Sequence, residues 1–293
     1  KMINSGLIVN QGFEFMLYST PVQTKDFTFD LNINLSRNVS KVKELADGVD
    51  YLFFNGDANF LINVGTRVGH RLGEIYAKNL YKRDENGNMI VNKQGRPTKV
   101  SGEDAFQYTL DHPIGNIEPD LLMSVSPSFT YKGFTLSALF DMKFGGDIVS
   151  VSEAMATSTG LAARTANRGN AENGWKIVAP GVTADGTVNS TAMNAQRYYT
   201  SMSGMAEEFV YDASFIKLKE LSLGYSFPKS ILKKTPLTSL NVAFVARNLA
   251  YLMKHTPGTS PEGGYDTSMF SQAIDYMSVP YTRTFGLSIN LGF

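Results

Sequence analysis

The sequence predicts an all-β fold, a transmembrane antiparallel β-barrel, on three observations. Segments of about ten residues alternate between apolar and small or polar side chains, the period of a strand with two unlike faces. The links between these segments alternate between short and long. The final segment ends on an aromatic residue: Phe285, Leu287, Ile289, Leu291 and Phe293 fall on one side, Gly286, Ser288, Asn290 and Gly292 on the other. In an outer-membrane barrel lipid wets the apolar face and the interior takes the polar one. One strand of a soluble sandwich shows the same period, so the links must discriminate.

Taken in order, Phe13, Phe15 and Leu17 alternate with Glu14, Met16 and Tyr18. After a break at residues 21–25, Phe27, Phe29, Leu31, Ile33 and Leu35 alternate with Thr28, Asp30, Asn32, Asn34 and Ser36. Leu121, Met123, Val125, Phe129 and Tyr131 alternate with Ser124, Ser126, Ser128 and Thr130. A tight turn at Lys132-Gly133 leads into Phe134, Leu136, Ala138, Phe140, Met142 and Phe144, interleaved with Thr135, Ser137, Leu139, Asp141 and Lys143. Leu221, Leu223, Tyr225 and Phe227 alternate with Glu220, Ser222, Gly224 and Ser226. Leu240, Val242, Phe244 and Ala246 alternate with Asn241, Ala243, Val245 and Arg247. With the terminal segment these make seven strands, each near the nine to eleven residues that a tilted membrane strand needs.

Short links follow the first, third and fifth strands, and long ones the second (about 38–120), fourth (about 150–208) and sixth (about 253–279). A barrel with short periplasmic turns and long extracellular loops alternates in this way, which would put the carboxyl terminus on the periplasmic side. One more hairpin, around residues 59–81, would raise the count to nine and preserve the parity. No helix with an apolar stripe of period 3.6 is expected. Neither seven nor nine strands closes a barrel of the usual even count, and an open sheet would leave backbone groups unpaired in hydrocarbon. The expectation is therefore a larger barrel of which this chain supplies about seven to nine carboxyl-terminal strands.

Composition sets outer bounds. The 293 residues carry 27 Lys plus Arg and 27 Asp plus Glu, a net charge of zero, which argues against a general nucleic-acid binder. There is no cysteine, hence no disulfide framework and no thiolate chemistry. No apolar run is long enough to span a bilayer as a helix, a test that barrels do not register. The chain opens Lys-Met-Ile-Asn without a signal peptide, so an exported protein would carry more sequence upstream.

The run from Tyr211 through Asp212-Ala213-Ser214-Phe215-Ile216-Lys217-Leu218-Lys219 to Leu223-Gly224-Tyr225-Ser226-Phe227-Pro228 resembles the signature strand of SusC/RagA-type TonB-linked outer-membrane proteins of Bacteroidetes. Asn10-Gln11-Gly12-Phe13-Glu14, the Asn-rich stretch at Asn34, Ser36 and Asn38, Gly115-Asn116 with Pro119-Asp120, and Tyr131-Lys132-Gly133-Phe134 resemble further elements of that pattern, in its order. Arg247-Asn248-Leu249, Ser260-Pro261-Glu262 and Pro280 with Arg283-Thr284-Phe285-Gly286 complete the set. Two departures stand out: Lys217 where the family usually has Arg, and Ser260 where it often has Asp; the sequence suggests a role for neither. The resemblance covers essentially the whole chain. It implies a 22-stranded barrel with a plug, both plug and early strands lying outside this chain. It also implies nutrient import of an oligosaccharide or oligopeptide, with a SusD-like surface lipoprotein over the loops and the TonB-ExbB-ExbD complex acting through the plug. Outer-membrane lipid and the remaining barrel and plug segments are the other implied partners. A passive porin or structural barrel also fits the strands, and a soluble β-sandwich carbohydrate-binding module fits them less well.

No constellation points to an enzyme, a metal or a cofactor. His70, His112 and His255 stand apart, no nucleophile elbow or phosphate loop occurs, and the adjacent Glu207 and Glu208 would diverge on a strand. Asp30, Asn32, Asp141, Lys143, Glu220 and Arg247 are the candidates for an inward, lumen-facing surface, either meeting a plug and water or lining a transport path. In the long links Trp175, Tyr198, Tyr199, Tyr265, Tyr276 and Tyr281 are aromatics that could stack on sugar rings or peptide side chains. Phe293 is the candidate barrel-assembly signal.

Overall fold

The computed structural model describes residues 6–54, 61–265, 268–272 and 274–293. Seven strands form one sheet in chain order: β1 (Gly6–Gln23), β2 (Phe27–Leu45), β3 (Leu121–Tyr131), β4 (Phe134–Phe144), β5 (Phe215–Ser226), β6 (Ser239–Lys254) and β7 (Thr284–Gly292). Every neighbouring pair is antiparallel, so the sheet is an up-and-down meander. The β3–β4 turn uses Lys132 (φ 48°) and Gly133 (φ 88°), both in the left-handed region that a two-residue hairpin turn requires. Lys132 N–H donates to Asp26 O at 3.0 Å and Ser226 N–H to Gly133 O at 2.8 Å, so the short turns bond to one another at that end.

Register arranges the apolar residues in rows across the sheet. One row runs Phe27, Tyr131, Phe134, Tyr225, Val242, Ile289, an aromatic belt beside the short turns. The next runs Phe29, Phe129, Leu136, Leu223, Phe244, Leu287, with Phe29 stacked on Phe129 at 4.7 Å. A row nearer the long links runs Leu35, Met123, Met142, Ile216, Met253. The 11 residues of β3 extend roughly 33 Å, which a barrel tilt reduces to about the 25 Å of an apolar membrane band. Among the described residues nothing covers this face. Leu287 is 66% exposed, Leu223 54% and Phe244 51%, and neither Phe29 nor Phe140 is buried. A continuous apolar surface of this extent is not stable against water, and a sandwich would have buried it under a second sheet.

The hydrophobic core lies elsewhere, in the long links. Ile62, Val64, Ile75 and Leu80 from the first link cluster with Val149, Met193, Tyr198, Tyr199, Met202 and Phe209 from the second and Ile274 from the third. Three strands, Asp147–Ser150, Val210–Asp212 and Ile274–Asp275, join the second and third links in one small sheet. The first link contributes a four-stranded sheet from residues 51–53, 62–67, 74–77 and 115–116. Three helices of two turns or more complete the layer: α1 (Glu103–Asp111), α2 (Val151–Thr159) and α3 (Ala195–Met202). Ser150 starts α2, its hydroxyl oxygen accepting Glu153 N–H at 3.0 Å, and Gly160 (φ 78°) ends it in the left-handed conformation. The links form one folded layer at one end of an oily wall.

Among the described residues the wall has seven strands. The further hairpin expected within 59–81 does exist, as residues 62–67 and 74–77, but it belongs to the loop layer; residues 59 and 60 lie outside the described residues. Its strands are buried on both faces, whereas a wall strand keeps one face open. The helices correct the second expectation: α3 buries Ala195, Tyr198, Tyr199 and Met202, a helical stripe disguised by Ala and Tyr in place of Leu. β1 and β2 are also longer than their alternating cores, at 18 and 19 residues. Their far ends stand beyond the apolar band and join the layer, where Val42 N–H donates to His70 O at 3.1 Å and Leu72 N–H to Ser40 O at 2.9 Å.

Candidate functional site

The polar residues of the wall share the face opposite the apolar rows. Asp30 accepts the Thr20 hydroxyl at 2.7 Å, and Asn32 stands between Tyr18 and Ser126 in the register. Asp141 accepts Lys219 Nζ at 2.6 Å, and Glu220 accepts Arg247 Nε at 2.7 Å. Lys143 lies in register with Leu122 and Phe215, half-buried beneath the loop layer. The structure thus gathers Asp141, Glu220 and Arg247 on β4, β5 and β6, while Asp30 and Asn32 stand apart on β2. Phe293 follows β7 and is 82% exposed.

Lys219 is a member of this surface that alternation did not reveal. Against β4 the register slips between Leu139, opposite Glu220, and Phe140, opposite Leu218, so that Lys219 is an extra residue of β5. This bulge turns Lys219 toward Asp141. Counting by twos from Tyr225 cannot detect it.

Where β5 and β6 rise past β7, Lys217 occupies a cage. Its side chain is 3% exposed, and Nζ lies 2.5 Å from Glu262 Oε2. The ammonium sits over the Tyr251 ring at 4.9 Å and the Tyr281 ring at 4.7 Å. The Tyr251 hydroxyl donates to Glu262 and lies 2.7 Å from Ser260 Oγ. A buried cation is tolerated only with such compensation: one carboxylate, two ring faces, and a second donor to the carboxylate. Lys217 and Ser260, the two departures from the family pattern, therefore meet in one cluster, and each has a chemical role after all. The cage ties the 255–283 link to the wall. Beside it opens a cleft of about 1010 Å³, lined in part by Tyr251, Lys254, Tyr265, Tyr276, Tyr281 and Arg283. The rings of Tyr265 and Tyr276 meet edge to face at 5.6 Å.

The six loop aromatics separate into groups. Tyr265, Tyr276 and Tyr281 share this cleft, and Trp175 is half-exposed elsewhere on the layer. Tyr198 and Tyr199 are buried in the core, where the Tyr199 hydroxyl donates to Asn167 O at 2.7 Å; they are packing residues, not stacking platforms.

The remaining polar candidates hold loops together. Glu207 accepts Tyr81 N–H at 2.7 Å and Arg83 at 3.0 Å, whereas Glu208 accepts Arg164 at 3.1 Å, so the adjacent carboxylates serve different segments. His70 Nδ1 lies 2.9 Å from Glu74, His255 Nδ1 lies 2.6 Å from Asp212, and His112 stacks on Tyr108 at 4.9 Å. Among the described residues no three His, Asp or Glu side chains converge as metal ligands. Among the described residues no helix is long and apolar enough to cross a membrane, which says nothing about strands.

Comparison with known proteins agrees with this architecture. No protein-family model matches the chain. It is 28% identical over 307 residues to TonB-dependent receptor P3 of Formosa agariphila, covering 99% of the chain and 29% of that receptor. It is 27% identical over 305 residues to TonB-dependent receptor SusC of Bacteroides thetaiotaomicron, covering 99% of the chain and 27% of that protein. Among solved structures, the RagAB peptide transporter superposes with a TM-score of 0.65 at 18% identity, over 99% of this chain and 29% of that one. The RagAB peptide importer in its closed-closed state gives 0.63 at 19% identity. The chain thus spans under a third of the length of the relatives it matches, and its fold is part of a larger barrel.

Proposed function

Taking as premise a chain of SusC/RagA type that folds as part of an outer-membrane barrel, we propose that it supplies the carboxyl-terminal wall and long loops of an energy-coupled nutrient importer. The single observation that carries the reading is the inversion of burial: the sheet is bare on its apolar side while the links contain the core. Lipid is the solvent that makes such a surface stable. The long-loop end is then extracellular and the short turns and carboxyl terminus are periplasmic. The inner-face residues Asp30, Asn32, Asp141, Lys143, Glu220 and Arg247 line the barrel interior and meet a plug supplied by sequence outside this chain. A SusD-like lipoprotein covers the folded loop layer, and the TonB-ExbB-ExbD complex acts on the plug. The cargo is an oligosaccharide or oligopeptide too large for passive diffusion. The relatives' names, TonB-dependent receptor and peptide importer, support this assignment.

The test is uptake by cells that express the full-length protein. Labelled oligomer should accumulate, collapse of the proton gradient by an uncoupler should abolish the accumulation, and a gene deletion should match the uncoupled cells. Uptake that persists undiminished with uncoupler would establish a passive porin instead.

A further inference from the structure

We propose that a second cleft in the loop layer, separate from the one beside Lys217, is a saccharide-binding subsite built on Trp175. The cleft has a volume of about 470 Å³, within the range of small-ligand sites, and Thr157, Gly160, Arg168, Trp175 and Gln196 are among its lining residues. Trp175 is the chain's single tryptophan and is 50% exposed. Its backbone is held at φ 56°, a conformation that a bulky residue adopts only under constraint. Two hydrogen bonds impose it: Trp175 N–H to Asn170 O at 2.8 Å and Ala195 N–H to Trp175 O at 2.9 Å. The backbone is thus strained to present an indole to solvent, not to hide it.

A second, independent observation lies at the base of the cleft. Thr157 is fully buried, yet its hydroxyl has no hydrogen-bond partner. A buried hydroxyl without a partner carries a desolvation cost and requires an explanation. The other hydroxyls of the cleft are already engaged: Ser158 and Thr159 donate to Met155 O at 2.8 and 2.9 Å, Thr165 to Ala162 O at 2.7 Å, and Tyr199 to Asn167 O at 2.7 Å. The cleft therefore offers one flat apolar face, one hydroxyl still to be satisfied, and the amide of Gln196 and guanidinium of Arg168 at its rim. A pyranose matches this set, with an apolar C–H face for the indole and a border of hydroxyls for the polar groups. A peptide fits it less well, because no carboxylate lines the cleft to receive an amino terminus or a basic side chain. The subsite rests on the import reading only in treating the bound sugar as cargo.

The experiment uses the full-length protein in detergent micelles on an array of gluco-, xylo-, manno-, galacto- and fructo-oligosaccharides, with hexapeptides spotted alongside. At least one saccharide series should be retained. Trp175→Ala should weaken that binding about tenfold, and Trp175→Phe, which keeps a ring, by less than about threefold. Thr157→Val should weaken it roughly three- to tenfold while leaving the fold intact, as heat-modifiable migration would verify. Retention of no saccharide, or equal retention by wild type, Trp175→Ala and Thr157→Val, would overturn the proposal. So would retention of peptides alone that depends on Trp175. The two readings fail separately: sugar binding that needs Trp175 together with uncoupler-resistant uptake refutes import and spares the subsite, and the opposite pair of results refutes the subsite and spares import.

Discussion

At the scale of single residues, the structure turns on compensation for buried charge. Lys217 is held by Glu262 and by two tyrosine faces, so removing either ion leaves the other buried and unpaired. Lys217→Met should cost about 3 kcal/mol, read as a lowered melting temperature and as new protease cleavage within 255–283. Adding Glu262→Gln to that variant should recover a good part of the loss; a double variant as unstable as the sum of the single changes would contradict the pairing. A pH effect follows from Asp147. Burial pushes its carboxyl above the ordinary 3.8, and the charge of Asp212, directly opposite on the neighbouring strand, adds to the rise against the Asn116 N–H that donates to it. Between 3.8 and the raised value the folded form holds a proton that the unfolded form has released. By linkage this group's contribution to stability is full below the ordinary value, falls as pH rises through that window, and is constant above it. Melting of the loop layer as pH rises from the ordinary carboxylate value of 3.8 should show this slope, and Asp147→Asn should flatten it. Lys217 and Ser260 were visible in the sequence only as departures from a pattern. Their meaning needed the third dimension, because 43 positions separate Lys217, which pairs with the Glu262 carboxylate, from Ser260, which bonds the tyrosine hydroxyl that donates to that carboxylate.

At the scale of elements, alternation was a sufficient guide wherever the two faces meet different solvents. Phe27 to Leu35 and Phe134 to Phe144 were legible because lipid and the interior impose opposite demands on neighbouring residues. The far half of β2, from Arg37 to Leu45, lost the signal because both faces leave the membrane there. The bulge at Lys219 was hidden because one extra residue reverses the parity. The two faces give a paired test. Leu221 is mid-row on the apolar side, in register with Ala138 and Ala246, and Ser222 is its neighbour on the polar side. Leu221→Arg should cost about 2–4 kcal/mol of barrel stability in a denaturant titration in lipid vesicles, whereas Ser222→Arg should cost far less. Equal costs would mean that the two faces do not meet different media. β7 carries the companion expectation: removing Phe293 should lower the amount of assembled protein in the outer membrane, because the proposed closing strand loses its terminal anchor. Undiminished outer-membrane levels on a membrane-fraction immunoblot would remove Phe293 from that role.

At the scale of the molecule there are two bodies with different sources of stability. The wall depends on a backbone ladder and on lipid, and the loop layer on a core like that of a water-soluble domain. The sequence disclosed the wall and its alternation of short and long links, but it showed the latter only as long, since their core is assembled from short strands and two-turn helices contributed by three distant segments. Ile62, Val149 and Ile274 have no shared local period, and only their convergence makes a core. Phe209 tests whether the two bodies are separable. It is fully buried at the junction of the links, Arg164 lies 5.0 Å from its ring centre, and its carbonyl accepts Ser150 N–H at 2.9 Å. Phe209→Ala would leave a cavity costing about 3–5 kcal/mol, a large part of what a layer of this size can lose. The expected result is proteolysis within all three links at a lower temperature than in wild type, while the wall still shows heat-modifiable migration and remains in the membrane fraction. Local unfolding of this kind needs a boundary across which little core is shared, and the apolar rows contribute nothing to the loop core. If wall and links were instead lost together in one transition, the core above the membrane would be holding the barrel closed, and lipid alone would not account for the stability of the oily face.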